Sequence, residues 1–355
     1  MLEQKKTISK ASLLIVILSF PVSFLYFYLL RYILPDKFFF DTGLIRNGMQ
    51  PGAPVNDYSI AGDFYKHLGF KYDTPIIYEI ILASTVFLVF TFLLVYILKV
   101  DFLNFDTSLI YLFSLMVFGP YFSMISKDLI VIIFLLVALL FFNRKHYKLI
   151  FLLIITLYAY QYRKYWFITI GLLIGLWVIQ VIFSKHRIII SSIFMLVYVI
   201  IISIVYKLAT NNYISMQRMN INNSRIGMDT ARTMTKTILP PTNLFNDLAN
   251  TLYNAVNLFI PIDGIGSVNE LVYYAWLYFI LFMIYHTYKK CHGIKGHTRF
   301  YLLFFAAFVF TQSLFEPDMG SAFRHQLTVT LFIPFMLQSY QQQYALASEN
   351  KKMKI

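Results

Sequence analysis

Charged residues and cysteine are scarce in this 355-residue chain. Only 13% of its residues are Asp, Glu, Lys or Arg, and its single cysteine is Cys291. One thiol excludes an internal disulfide and any metal site built from several cysteines. The chain also lacks a Walker A loop, an HExxH sequence, paired CxxC sequences and a GxSxG sequence. Nothing in it therefore indicates ATP hydrolysis or zinc proteolysis.

Hydrophobic residues, in contrast, make up 59% of the chain, and the mean hydropathy is +0.65. Apolar runs near the roughly 20-residue length that crosses a bilayer recur from one end to the other. We therefore predict an all-α, polytopic integral membrane protein in which residues 1–355 form a single transmembrane domain. Ten predicted spans, two of them short, lie near residues 11–31, 76–98, 107–124, 128–142, 149–162, 165–183, 188–208, 269–287, 300–315 and 327–343.

The positive charges of the chain predict its orientation. Its 30 Lys and Arg against 17 Asp and Glu lie between apolar segments instead of on one basic face, so a nucleic-acid partner is not expected. With both termini in the cytoplasm, sixteen cations and four acids fall inside, and fourteen cations and thirteen acids fall outside. Because short cytoplasmic connections are enriched in Lys and Arg, this distribution predicts cytoplasmic termini.

Two long outer loops are predicted, near residues 32–75 and 209–268. In the second, "PPTNLFNDLANTLYNAVNLF" follows a proline pair with a Thr cap and repeats apolar residues every four positions. The repeated residues are Leu244, Leu248, Leu252 and Val256. This pattern predicts an amphipathic helix near residues 242–258 that lies at the outer membrane interface.

Arginine is unexpectedly frequent on the predicted outer side. The residues concerned are Arg46, Arg163, Arg218, Arg225, Arg232 and Arg324. Since the positive-inside rule disfavours this placement, an anionic partner is expected there, and the planar guanidinium group suits phosphate oxygens. Arg218, Arg225 and Arg232 recur every seven residues, and either lipid phosphates or a substrate fits them equally well.

Three polar clusters are predicted at outer ends of the spans: "SKDL" with Lys127 and Asp128, "QYRKYW" with Arg163, and "FEPDMGSAFRHQ" at residues 315–326. Because each joins consecutive spans, we expect them to converge. In the third, Pro317 and Gly320 are expected to break the helix, which membrane proteins tolerate where the backbone lines a cavity or is buried in protein. The alternatives are a Lys127–Asp128 ion pair and an interfacial aromatic belt around Arg163.

The layout and these clusters together resemble the Wzy-type polysaccharide polymerases of O-antigen, capsule and exopolysaccharide synthesis. The sequences that carry the resemblance are "SKD", "RKYW", the large late outer loop and "EPDMGSAFRHQ". It implies a bacterial cytoplasmic (inner) membrane protein with its active site facing the periplasm or exterior. Its substrate would be a polyprenyl diphosphate-linked oligosaccharide. Its other partners would be membrane lipids and a chain-length regulator.

The resemblance also implies roles for residues. Cations would stabilise the departing diphosphate, with Arg163 and Arg324 as first candidates and Lys127, Arg218, Arg225 and Arg232 as further ones. Glu316, Asp318 and His325 are candidates for the catalytic base and the groups that orient it. No cofactor or metal is required, because the lipid diphosphate is itself the activated donor.

Two alternatives stay open. The first-loop sequence "NDYSIAGDFYKHLGF" is similar to the Asp-bearing loop of GT-C type polyprenyl-phosphate-dependent glycosyltransferases, in which case Asp57 or Asp63 would act as base or metal ligand within a GT-C-like architecture. The other is a non-enzymatic flippase or transporter of the same lipid-linked sugars, in which the arginines guide the diphosphate.

Overall fold

The computed structural model describes residues 8–183, 185–224 and 234–352, and in these ranges it is helical without a β-strand. The helices, numbered in chain order, are α1 Lys10–Ile33, α2 Phe40–Gly48, α3 Asp57–His67, α4 Ile76–Tyr96, α5 Phe105–Phe122, α6 Lys127–Leu140, α7 Tyr147–Gln161, α8 Trp166–Ile182, α9 Arg187–Thr210, α10 Ile214–Ser224, α11 Leu244–Asn257, α12 Val268–Lys290, α13 Gly296–Phe315, α14 Met319–Thr330 and α15 Ile333–Lys352. A short 3-10 helix, Asp36–Phe39, precedes α2.

Within the described ranges, six helices are long and apolar enough to cross a membrane. They are Lys10–Ile33, Ile76–Tyr96, Phe105–Phe122, Arg187–Thr210, Glu270–Lys290 and Gly296–Phe315. The protein is therefore helical and membrane-embedded, whereas the predicted count of ten spans is not confirmed.

The other four predicted spans do not coincide with any of these six helices. Three of them are α6, α7 and α8, with 14, 15 and 17 residues. The last one, near 327–343, crosses the boundary between α14 and α15, where the chain makes a turn at Leu331 and Phe332. Pro334 explains this interruption, because it lacks the N–H that the carbonyl of Thr330 would need in a continuous helix.

The chain divides into two compact units, which are described separately. The described residues within 1–164 and 331–355 form the first unit, and those within 165–330 form the second.

The core of the first unit is aromatic. Phe27 of α1 packs against Phe87 of α4 and Phe118 of α5, with ring centroids 6.3 and 5.6 Å apart. Pro120 lies inside α5 and removes the N–H that the Met116 carbonyl would otherwise accept. The hydroxyl of Tyr26 donates to that carbonyl at 3.0 Å. A side chain of α1 thus satisfies the backbone group that Pro120 frees.

In the second unit, α8 packs along α13. Trp166 begins α8 and contacts Phe304 and Phe308 of α13, with ring centroids 5.9 and 5.0 Å apart. Gly171 and Gly175 of α8 lie under the rings of Tyr198 and Phe194 of α9, which occupy the space that a Cβ would need. Small residues therefore let α8 and α9 approach closely.

The amphipathic helix predicted near 242–258 is α11, and it begins at Leu244, two residues after the predicted start. Asn243, not Thr242, caps it, because the Asn243 Oδ1 accepts a hydrogen bond from the Asn246 N–H at 2.9 Å. The polar face of α11 is turned toward the protein and is buried, at Asp247, Asn250, Thr251, Asn254 and Asn257. Its apolar face is the exposed one, with Leu252 44% and Val256 43% exposed.

Candidate functional site

The site in the second unit is built around the end of α13. This helix ends at Phe315 because Glu316 precedes a proline and adopts extended backbone angles, φ −72° and ψ 124°. Pro317 has no N–H, so the carbonyl of Ser313, four residues earlier, loses its partner within the helix. Arg218 Nη1 and Asn254 Nδ2 donate to this carbonyl at 2.7 and 2.8 Å. Pro317 therefore determines where these two side chains bind.

The break between α13 and α14 comprises only residues 316–318. Thr235, from the long loop predicted at residues 209–268, forms hydrogen bonds to it. The backbone N–H and the hydroxyl of Thr235 both donate to the Pro317 carbonyl, at 2.9 and 3.0 Å. Asp318 accepts a hydrogen bond from the Ser321 N–H at 2.7 Å through Oδ1, which caps α14. The predicted helix break at Gly320 is therefore wrong, because α14 begins at Met319 and includes Gly320.

The break between α13 and α14 brings Glu316 and His325 into contact. Glu316 Oε1 lies 2.6 Å from His325 Nδ1, and the two residues are only 6% and 8% exposed. A carboxylate at Nδ1 favours the tautomer with the proton on Nδ1, which leaves Nε2 as the basic nitrogen. Of the three residues predicted to be catalytic, the structure thus pairs Glu316 with His325 and places Asp318 at a helix cap.

Arg218 is a buried cation that binds the end of the same helix, α13. It is 3% exposed, and its one hydrogen bond within the described ranges goes to the Ser313 carbonyl, one helical turn before Glu316. Burial lowers the pKa of the guanidinium to about 10, and the negative charge of Asp247 partly opposes this effect. Arg218 therefore stays protonated at neutral pH, in an environment where an anion would be stabilised.

Arg324 lies on α14 directly before His325 and is half-buried. Arg225 and Arg232, the other two members of the predicted sevenfold series, lie outside the described residues. Sequence reasoning missed Asn254 and Gln326, whose amides donate to the Ser313 carbonyl and to the Tyr273 hydroxyl. Gln326 belongs to the polar cluster predicted at residues 315–326, whereas Asn254 is one of four asparagines in the amphipathic α11 and no local pattern distinguishes it.

The predicted cations of the first unit are arranged differently. Asp128 Oδ1 lies 2.9 Å from Arg163 Nη2, and their side chains are 0% and 6% exposed. One alternative was an ion pair between Lys127 and Asp128. In the structure, Asp128 pairs with Arg163 instead. Lys127 instead places its ammonium 3.9 Å from the centre of the Tyr58 ring. Burial, followed by the charge of Arg163, lowers the pKa of Lys127.

The first long loop is anchored to the start of α4 and to the "SKD" turn. Arg46 Nε donates to Glu79 Oε1 at 2.8 Å, and its Nη2 donates to the Thr74 carbonyl at 2.8 Å. The Tyr65 hydroxyl donates to the Ser126 carbonyl at 2.6 Å and accepts from the Ser126 N–H at 3.0 Å. Arg46 thus has a structural partner within its own unit.

The acids of the GT-C alternative are on the surface. Asp57 is the first residue of α3 and is exposed, and the exposed Asp63 pairs with Lys66 at 3.0 Å. Among the residues that the structure describes, no group of three or more His, Cys, Asp or Glu is placed to hold a metal ion.

Comparison with known protein families, with curated proteins and with solved structures gives no match for this chain. The similarity to Wzy-type polymerases thus rests on the short sequences quoted above. Convergence of the three predicted clusters likewise stays a prediction, since Lys127, Asp128 and Arg163 lie in the first unit and residues 315–326 in the second.

Proposed function

We propose that this protein is a polysaccharide polymerase. It would transfer a growing glycan from a polyprenyl diphosphate carrier onto a lipid-linked repeat unit, at the outer face of the bacterial cytoplasmic membrane. The observation that carries the proposal is the buried contact between Glu316 and His325, in a membrane protein whose neighbouring helix end also holds a buried arginine. Buried titratable groups with a specific charged partner are candidates for functional sites.

In the proposed reaction, His325 is the general base. The acceptor sugar hydroxyl attacks C1 of the donor sugar, and its proton passes to Nε2 of His325. The bond between C1 and the diphosphate oxygen breaks, and the diphosphate leaves with the electron pair. Glu316 would hold Nδ1 and stabilise the imidazolium that forms, which is the role a carboxylate has in many base–carboxylate pairs.

Cations are needed where negative charge develops on the departing diphosphate. Arg218 supports this step best, because it is buried, protonated at neutral pH and neutralised by no carboxylate contact within the described ranges. Arg324 is a second candidate, through its position beside His325. Arg163 and Lys127 stay predicted diphosphate ligands, although Arg163 already pairs with Asp128.

The test uses purified protein in liposomes with a synthetic polyprenyl diphosphate oligosaccharide, without nucleotide sugars and with excess EDTA. We expect a ladder of longer glycans with the wild-type protein and its loss in His325→Ala. Glu316→Gln should reduce the rate by up to about 10²- to 10⁴-fold, the range that a positioned general base contributes, because His325 loses the carboxylate that orients it. His67→Ala is the matched control, because His67 is an exposed histidine on α3.

Three results would contradict the proposal. A ladder that persists in His325→Ala excludes His325 as base. A ladder that needs a divalent metal and is lost in Asp57→Asn or Asp63→Asn supports the GT-C alternative. Transfer of labelled lipid-linked sugar across the vesicle membrane without chain growth supports a flippase or transporter.

A further inference from the structure

Helix α11 turns its polar residues toward the protein. A helix on the surface of a water-soluble protein does the reverse and turns its polar face to water. Asp247 accepts hydrogen bonds from the Ser203 hydroxyl of α9 and from the Ser215 N–H of α10, the latter at 2.9 Å. Asn250 accepts from the backbone N–H groups of Ile238 and Leu239 at 3.0 and 3.1 Å. The polar side of the helix is therefore satisfied by protein and needs no contact with water.

The contact with Ser203 gives the depth of α11 relative to the membrane. Between Arg187 and Lys207, α9 has nineteen consecutive uncharged residues, which span about 29 Å at 1.5 Å per residue and match the hydrocarbon thickness of a bilayer. Ser203 lies four residues, about 6 Å, inside Lys207. Asp247, which bonds to Ser203, thus lies below the polar end of this span.

The other end of α11 is also bound to a span. The hydroxyls of Tyr274 and Tyr278 of α12 donate to the carbonyls of Asn257 and Phe259, at 2.6 and 2.9 Å. Tyr278 lies eight residues, about 12 Å, beyond Glu270, although tyrosine side chains lean back toward the helix N-terminus. Both ends of α11 are therefore held alongside membrane-spanning helices.

The outward face of α11 continues the apolar surface of these spans. Its exposed apolar residues, and those just after it, are Phe245, Leu252, Val256, Phe259, Ile260, Ile262 and Ile265. On α9, Ile201, Val205 and Leu208 are exposed too, and they lie within five residues of Ser203, which bonds to Asp247. A surface this large and apolar is unusual for a face in water, and it matches the surroundings of a lipid-facing span.

We propose that α11 is set into the lipid leaflet as part of the lipid-facing wall of the second unit, with acyl chains covering the face formed by Phe245, Leu252 and Val256. This goes beyond a helix lying on the membrane surface, because a surface helix keeps its polar face toward water and headgroups. The inference does not depend on the proposed enzymatic function.

Spin labelling tests the proposal in liposomes that contain only this protein. Cys291→Ser gives a cysteine-free background, into which Leu252→Cys and Val256→Cys are introduced for a nitroxide label. Collision with oxygen, which concentrates in lipid, and with a water-soluble nickel chelate is then measured. Val205→Cys on α9 is the lipid-facing control, and Asn212→Cys, exposed just beyond α9, is the aqueous control.

We expect labels at 252 and 256 to match the label at 205, with high oxygen and low nickel collision. Labels that match the one at 212 would overturn the proposal in favour of an aqueous face. Low collision with both reagents would also overturn it, because it would mean that protein, such as a second copy of this chain, covers the face.

A second measurement needs no substitution. Wild-type protein in vesicles with a phospholipid that carries a photoactivatable group on its acyl chain is irradiated, and the modified residues are mapped by mass spectrometry. Modification within residues 244–262, as well as on α9, is the expected result. Modification of α9 with none within residues 244–262 would contradict the proposal. Misfolding of a variant could not explain that result, because the protein is wild-type.

Discussion

Two proline residues, one in each unit, free a helix carbonyl, and the chain satisfies the two carbonyls with different chemistry. Pro120 frees the Met116 carbonyl, which accepts from the neutral hydroxyl of Tyr26 at 3.0 Å. Pro317 frees the Ser313 carbonyl, which accepts from Arg218 and Asn254. The same backbone defect thus produces a purely structural contact in one unit and a buried positive charge in the other.

The ion pairs show the same contrast. In the first unit, the charge of Arg163 is compensated by Asp128 at 2.9 Å, and that of Arg46 by Glu79. In the second unit, Arg218 bonds to a carbonyl dipole. The acid whose charge acts on it, Asp247, accepts hydrogen bonds from Ser203 and Ser215. A paired charge mainly holds structure, whereas a charge held by a dipole still attracts an anion. The second unit is therefore the stronger candidate for substrate binding.

Arg163→Leu should have the largest effect on stability. It removes one member of the buried Arg163–Asp128 ion pair, which costs about 3–5 kcal/mol, so the free energy of unfolding in mixed micelles should fall by that amount. In the double variant Arg163→Leu/Asp128→Leu most of the loss should be recovered. If the double variant is stable but forms no glycan ladder, Arg163 acts on the substrate. Its pairing with Asp128 would then not separate it from Arg218 in function.

Arg218→Met should affect glycan transfer strongly and the free energy of unfolding only weakly. The free energy of unfolding should change by less than about 1.5 kcal/mol, since one hydrogen bond is lost and a buried charge is removed. Glycan transfer should fall by about 10²-fold or more, as expected for a group that stabilises a developing anion. Equal loss of stability in Arg218→Met and Arg163→Leu would show that both arginines are structural.

Pro317→Ala tests whether the proline creates the second site. Alanine supplies an N–H that competes with Arg218 and Asn254 for the Ser313 carbonyl and favours a longer α13. We expect glycan transfer to become slower by up to about 10²-fold, because displacement of Glu316 and Arg218 by about an ångström can have an effect of that size. Pro120→Ala is the matched control and should leave transfer unchanged; an equal loss in both variants would point to a general packing effect.

Tyr26→Phe should have the smallest effect. It removes the hydroxyl that donates to the Met116 carbonyl, and a lost neutral hydrogen bond costs about 0.5–1.5 kcal/mol. Glycan transfer should stay at the wild-type rate. A stability loss as large as that of Arg163→Leu, measured under the same conditions, would show that the Pro120 region is held mainly by this bond.

Parts of the site were readable from the sequence for local reasons. Pro317 predicts a helix end near residue 316, because proline removes an N–H and disfavours helical angles in the residue before it. The prediction failed at Gly320, because the cap formed by Asp318 one residue after the proline restarts the helix. The contacts of Asn254 and Asn250 could not be read, because they depend on which helices are neighbours.

The sequence by itself determined the helical, membrane-embedded class, the position of α11 and most helix bounds, because these follow from local periodicity, caps and the length of apolar runs. The tertiary structure alone decided that Asp128 pairs with Arg163 rather than with the adjacent Lys127, that Glu316 meets His325, and that α11 turns its polar face inward. The physical reason is that burial and charge pairing depend on distances between segments that are far apart in the chain. Such distances are set by packing, which no local pattern contains.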